Sequence, residues 1–270
     1  MTRSVEFSLL TTPTRRSDHD FAIDFPDHWQ QGRGAFGGLI VATMWRAARA
    51  CEPEADRTLR SLTAELVGPV QPGPATLRVE MLRRGNGVST LAVRLEQGDE
   101  LLAHAVVVLG RARLQRERWT RLPPPAPPPF AEVAPLPASP TNAAAFAQFF
   151  EFRPTGPLPF QGTPDLLPRT SGWVRLRAVA DQLTAGELIA LADAWWPCVL
   201  VPERTPRPAA TLAFTFELLH DPAHLRPLAP VFHRAEAIAA QDGYSVELRE
   251  LWSEDGELLA LNQQTFALIK

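Results

Sequence analysis

Apolar positions along this chain change period several times, and each change marks an element. Residues 21–25 alternate as a short strand before Pro26 and the glycine-rich run Gly32-Arg33-Gly34-Ala35-Phe36-Gly37-Gly38. Residues 39–50 are then apolar nearly all round and rich in alanine, which predicts a buried helix. Four strand-like runs follow, at 59–69, 75–83, 88–97 and 100–112. Their connections, Gln71-Pro72-Gly73-Pro74, Arg84-Gly85-Asn86-Gly87 and Gly98-Asp99, are short turns built on Pro or Gly. Connections this short make antiparallel neighbours.

The pattern then repeats. Residues 146–153 and 173–177 read as strands, 185–199 as a helix, and 209–219, 231–240, 244–253 and 257–269 as strands, with Asp242-Gly243 and Asp255-Gly256 as hairpin turns. Residues repeat along with the pattern: Leu39-Ile40 matches Leu188-Ile189, and Glu100-Leu101-Leu102-Ala103 matches Glu257-Leu258-Leu259-Ala260. Two copies of one α+β unit predict a covalent pseudo-dimer about an approximate two-fold axis. The expected division is 1–120 for the first copy, 121–145 for a spacer and 146–270 for the second copy. Pro123-Pro124-Pro125-Ala126-Pro127-Pro128-Pro129, followed by Pro135, Pro137 and Pro140, should run extended and stiff.

Composition narrows the class. The 270 residues are 45% hydrophobic and 21% charged, those of a soluble globular protein. A net charge of −3 offers no basic footprint for nucleic acid. Arginines between Arg111 and Arg121 are offset by acidic residues elsewhere. The two cysteines, Cys51 and Cys198, fall in predicted helices without metal or redox spacing, as expected of a reducing compartment. The N-terminal residues lack a signal-peptide pattern, and no apolar run approaches the roughly 18 residues of a membrane span. A cytoplasmic protein without membrane contact is the expectation.

Candidate chemistry centres on the second predicted helix, which carries a single mid-helix carboxylate, Asp193, among Leu188, Ile189, Leu191, Ala192, Trp195 and Trp196. A buried acid either finds hydrogen-bond partners or has its pKa raised, and a poised carboxylate suits general-base chemistry. Its structural reading is a carboxylate on the one exposed edge of the helix. Differences between the copies favour the functional reading. Val107 aligns with Gln264, Ala105-Val106 with Asn262-Gln263, Met44 with Asp193 and Ser61 with Thr211. Taken singly, Thr211 suits a strand and Gln264 suits a solvent-facing position. Taken together, a carboxylate, a hydroxyl and an amide can hold one water and let the acid take its proton.

Rival chemistries lack their motifs. No Gly-x-Ser-x-Gly elbow is present. His220 and His224 have helical spacing, but Asp221-Pro222 between them predicts a loop, so no metal is expected. Gly32-Arg33-Gly34 lacks the third glycine of a dinucleotide fingerprint, and no cofactor is expected.

The stretches Arg33-Gly34-Ala35-Phe36-Gly37-Gly38-Leu39, Arg60-Ser61-Leu62, Val67-Gly68-Pro69-Val70-Gln71-Pro72-Gly73 and Glu80 to Thr90 together resemble the first half of the double-hotdog acyl-CoA thioesterases, the bacterial type II group and its thioesterase-like relatives. The second half is similar to the same family in Ala192-Asp193-Ala194, Ala210-Thr211-Leu212 and Leu259-Ala260-Leu261-Asn262-Gln263-Gln264. This resemblance implies an α+β tandem (double) hotdog, each half an antiparallel sheet wrapped around a central helix. It implies Asp193, Thr211 and Gln264 as the catalytic set, hydrolysing an acyl-CoA or acyl-pantetheine thioester by Asp-activated water, without metal or covalent intermediate. Phe36, Gly37 and Gly38 become the expected substrate contacts, with N–H groups of the Gly37-Gly38 region facing an oxyanion. Hydratases of this fold pair an Asp with a His, and no such His motif follows Asp193. The alternative is a non-catalytic acyl or hydrophobic-ligand binding protein on the same scaffold. A homodimer of such two-copy chains is compatible with either.

Overall fold

The alternating runs become one antiparallel sheet of twelve strands in the computed structural model, which describes residues 7–114, 119–137, 144–162, 167–178 and 181–269. First come β1 (Thr14–Arg15), β2 (Asp20–Phe25), β3 (Thr58–Leu66), β4 (Gly73–Arg84), β5 (Val88–Gln97) and β6 (Glu100–Gly110). The second series is β7 (Phe150–Pro154), β8 (Arg169–Leu176), β9 (Ala209–Leu218), β10 (Val231–Gln241), β11 (Tyr244–Trp252) and β12 (Leu258–Leu268). Across the sheet the order is β1-β2-β4-β5-β6-β3-β9-β12-β11-β10-β8-β7. Read outward from the β3–β9 seam, where Thr63 pairs with Thr215, both halves run through the same sequence of partners.

Even the irregularities repeat. A register shift between Leu59 and Ser61 in β3 has its counterpart between Thr211 and Ala213 in β9. Another, between Met81 and Arg83 in β4, is matched between Ala237 and Ala239 in β10. The skipped Leu82 and Ile238 are both exposed, since a bulge residue leaves the alternation and turns outward. At the β10–β11 hairpin, Asp242 and Gly243 both adopt positive φ, 54° and 83°, as a two-residue turn with the twist of its strands requires.

Helix α1 (Gly37–Ala50) packs on β3 to β6, α2 (Ala185–Asp193) on β8 and β11, and the two helices pack on each other. Their closeness rests on small residues: a Cβ on Gly38 would come within 2.9 Å of the Ala190 Cα. Thr184 caps α2, its hydroxyl accepting from the Gly186 N–H while Glu187 reaches back to the Thr184 N–H. Glu187 also takes Arg46 of α1 at 2.8 Å, a part-buried pair joining the two helices.

Three expectations need correction. Helix α2 stops at Asp193 rather than running to residue 199. The Ala192 carbonyl, which would accept from the Trp196 N–H in a continued helix, instead accepts from Arg249 Nη1 at 2.7 Å, and Pro197 disfavours helical backbone at Trp196. Cys198 accordingly sits in a separate 3-10 turn, Cys198–Leu200, and Cys51 is the C-cap of α1. Residues Ala145–Phe149 form a 3-10 turn, so only Phe150–Pro154 pairs as a strand.

The proline-rich stretch packs on the second half, though Pro140 lies outside the described residues. Leu122, Phe130 and Val133 cover a small core of Trp173, Phe232, Trp252 and Leu258. The Pro128 carbonyl accepts from Trp173 Nε1 at 2.9 Å, and that of Pro123 accepts from Arg234 Nη2 at 2.9 Å. Among the described residues no helix is long and apolar enough to cross a membrane.

Candidate active site

Asp193 ends α2 with only 6% of its surface exposed, so both carboxylate oxygens need partners from the protein. Oδ2 accepts from the Gly38 N–H at 2.7 Å, and Oδ1 accepts from Gln264 Nε2 at 3.1 Å. The other Nε2 proton of Gln264 goes to Asn262 Oδ1 at 2.9 Å, while Thr211 donates its hydroxyl to Gln264 Oε1 at 3.2 Å. Asn262 in turn donates to the Thr215 carbonyl at 2.7 Å. Thr211, Gln264 and Asp193 thus form one chain of hydrogen bonds, with Gln264 in the middle and its amide orientation fixed at both ends. Gly38 belongs to the first half and the rest to the second, so the carboxylate lies where the halves meet.

Local structure explains each placement. The β9 register shift brings Thr211 opposite Phe266 while Phe214 faces Gln264. In the first half Leu59 pairs with Leu109 and Leu62 with Val107. The true counterpart of Thr211 is therefore Leu59 and not Ser61; the shared bulge displaces the match by two residues. Substitution of a buried leucine by a threonine makes the divergence larger than the sequence alignment implied.

Burial raises the Asp193 pKa above the usual carboxylate range, against the pull of Arg249, the Gln264 and Gly38 hydrogen bonds, and with a small upward push from Glu247. Gly37 leaves room for this carboxylate: a Cβ there would stand 2.8 Å from Asp193 Oδ2.

Of the expected substrate contacts, Gly38 has its N–H committed to Asp193, so it positions the acid rather than facing an oxyanion. The Phe36 ring is fully buried, stacked on Phe146 at 4.1 Å and edge-on to Phe150, and supports the start of α1 from behind. Trp195 contacts Phe152 of β7 and stacks on His233 of β10 at 5.3 Å. Burial holds His233 neutral, its pKa far below the ordinary value, with Arg249 adding to that effect. His220 and His224 both meet Glu257, at 3.1 and 2.9 Å.

Two buried charges beside the site escape a reading of the sequence. Arg249 Nε donates to Glu247 Oε1 at 2.8 Å, Arg249 Nη1 to the Ala192 carbonyl, and the Cys198 N–H to Glu247 Oε2 at 2.6 Å. The run Val246-Glu247-Leu248-Arg249 alternates as though its charges faced water, yet Leu248 is 46% exposed while Glu247 and Arg249 are 0% and 1%. Only the first copy carried the signal: Leu91 pairs with Val107 as Glu247 pairs with Gln264.

Residues 25–110 match the model of the acyl-CoA thioesterase N-terminal domain, and residues 124–268 that of the acyl-CoA thioesterase C-terminal domain. A conserved hotdog-fold protein of unknown function from Alicyclobacillus acidocaldarius superposes with a TM-score of 0.88 at 25% identity, over 98% of each chain. An acyl-CoA thioesterase II of Mycobacterium marinum shares the fold at 15% identity, TM-score 0.75, over 97% of this chain and 98% of that one. An uncharacterised protein of Mycobacterium tuberculosis is 32% identical over 94 residues, 33% of this chain, and the match spans 32% of that relative's length.

Proposed function

Since the chain belongs to the acyl-CoA thioesterase family, its two matched regions being that family's N- and C-terminal domains in order, we propose that it hydrolyses acyl-CoA thioesters with Asp193 as general base. On this reading the fold is a double hotdog with the division 1–120, 121–145 and 146–270, the described residues of the first and last parts each wrapping a sheet around their own helix, α1 or α2. The observation that carries the mechanism is the hydrogen-bonded chain Thr211, Gln264, Asp193, whose members sit on β9, β12 and α2 at the junction of the halves. In the first half the matched strand positions hold Leu59 and Val107, which can do no such chemistry.

In the reaction a water held by the Thr211 hydroxyl and the Asp193 carboxylate attacks the thioester carbonyl carbon, and Asp193 takes its proton. Both groups retain acceptor capacity beyond the bonds they already make. The tetrahedral oxyanion faces the Gly37 N–H at the positive end of α1. Collapse breaks the C–S bond; the proton passes from Asp193 to the leaving sulfur, giving free acid and thiol. Desolvation makes Asp193 a stronger base than a water-exposed carboxylate, at the cost of keeping its proton to higher pH.

Release of free thiol from short-, medium- and long-chain acyl-CoA esters tests the activity; no release from any of them contradicts it and leaves ligand binding without turnover. The kcat/KM profile is expected to fall on its acid side through an apparent pKa above the usual carboxylate range, because only ionised Asp193 accepts the proton. A limb at the ordinary aspartate value contradicts the assignment. Gln264→Val, which installs the first half's residue, is expected to lower kcat about 100-fold and shift that limb upward, since Asp193 loses a donor to its charged form.

A further inference from the structure

The Glu247–Arg249 pair stands in a place where an apolar pair would do. Leu91 and Val93 occupy the matched positions of β5 in the first half, opposite Val107 and Ala105; Glu247 and Arg249 face Gln264 and Asn262. Burying two charges costs desolvation that a leucine and a valine do not, so stability alone gives no reason for the exchange. The pair is instead wired to the segment that carries Asp193. Arg249 binds the Ala192 carbonyl, one residue before the carboxylate, and Glu247 binds the Cys198 N–H, where the chain re-enters the core. One ion pair on β11 therefore fixes the backbone on both sides of the acid.

We propose that Arg249, held by Glu247, is a positioning residue for thioester hydrolysis: it clamps the end of α2 through the Ala192 carbonyl and presents its positive charge to the Asp193 carboxylate. This rests on Asp193 being the base. A carboxylate at the last residue of a helix meets the negative end of the helix dipole and an orphan carbonyl, both unfavourable to its charge. Arg249 answers both at once. The groups facing Asp193 are Arg249 and Glu247 from β11, Gln264 from β12 and the Gly38 N–H from α1, while His233 on β10 feels Arg249 and is neutral. Arg249 is the cation among those groups, and it favours the ionised acid.

The test restores the first half's residues. Glu247→Leu/Arg249→Val removes both charges together and leaves neither buried alone, so cooperative melting is expected, at a temperature lowered by the loss of the partners of the Ala192 carbonyl and the Cys198 N–H. Hydrolysis of acyl-CoA by this variant should show kcat lowered about 10-fold or more with KM changed less than about twofold, and an acid limb about one pH unit higher. Wild-type kcat with an unmoved limb overturns the proposal. If the double variant does not melt cooperatively, Arg249→Lys decides: charge retained and fork lost, it should keep the limb in place and lower kcat about fivefold, and full kcat overturns the proposal. Asp193→Asn separates the two ideas. Full activity in that variant removes the base itself, whereas its inactivity together with an unmoved limb in Glu247→Leu/Arg249→Val removes only the role of Arg249.

Discussion

Asp193→Asn is expected to lower kcat for acyl-CoA hydrolysis by about 1,000-fold while leaving the fold intact, because an amide cannot take the proton of the attacking water. The substituted side chain still accepts from the Gly38 N–H through its amide oxygen, and Gln264 keeps its bonds to Asn262 and Thr211, so only the Gln264–Asp193 bond is lost. Stability should shift in the opposite direction to activity. In the native state burial raises the Asp193 pKa above its unfolded value, so the folded protein keeps this proton longer than the unfolded chain. The associated stability is fully present below the unfolded carboxylate pKa, and it is lost as pH rises through the raised folded value. Asparagine has no such loss. Melting temperatures of variant and wild type should therefore diverge in favour of the variant with rising pH across that window, and remain parallel above it. A difference that shrinks with rising pH contradicts a raised Asp193.

Gly38→Ala is expected to destabilise the protein by about 2 kcal/mol, lowering the melting temperature by about 6 °C, and to reduce activity as well. A Cβ there would meet the Phe36 ring at 2.7 Å and the Ala190 Cα at 2.9 Å. Neither can yield easily: the ring is stacked on Phe146, and the Cα is helix backbone. Alanine's better helix propensity offsets less than about 1 kcal/mol near a helix start, so the clash decides the sign. Separation of the helices also draws the Gly38 N–H from Asp193 Oδ2, which is why kcat should fall with stability. Gly186→Ala is the control. Its Cβ would meet Trp45 and Arg46 side-chain atoms at 3.1 Å or more, and the Arg46 end is flexible, so the melting temperature should move far less. Equal effects at the two glycines contradict the close crossing at Gly38 as the cause.

Much of this was legible in the chain. Period-two runs and Gly- or Asp-bearing turns located the long strands to within a few residues, and the matched leucine-rich segments exposed the repeat. Asp193 stood out because a single acid in an apolar helix is conspicuous. Two physical effects hid the remainder. Bulges slip the alternation without leaving a compositional mark, so Ser61 was paired with Thr211 where the register gives Leu59. Side chains that satisfy one another can reverse the polarity of a strand: Glu247 and Arg249 turn inward because each supplies the other's charge, while Leu248 is left in water. The early end of α2 has the same origin, since Arg249 takes the carbonyl that the next helical turn would have used.

Hydrolysis in water enriched in oxygen-18, followed through a single turnover with enzyme in excess over acyl-CoA, tests the central claim most directly. Attack by a water that Asp193 deprotonates places one heavy oxygen in the released acid, and the peptide containing Asp193 stays at its natural mass. Heavy oxygen in that peptide, with unlabelled acid, would mean that the carboxylate attacked the thioester itself, contradicting its role as a base.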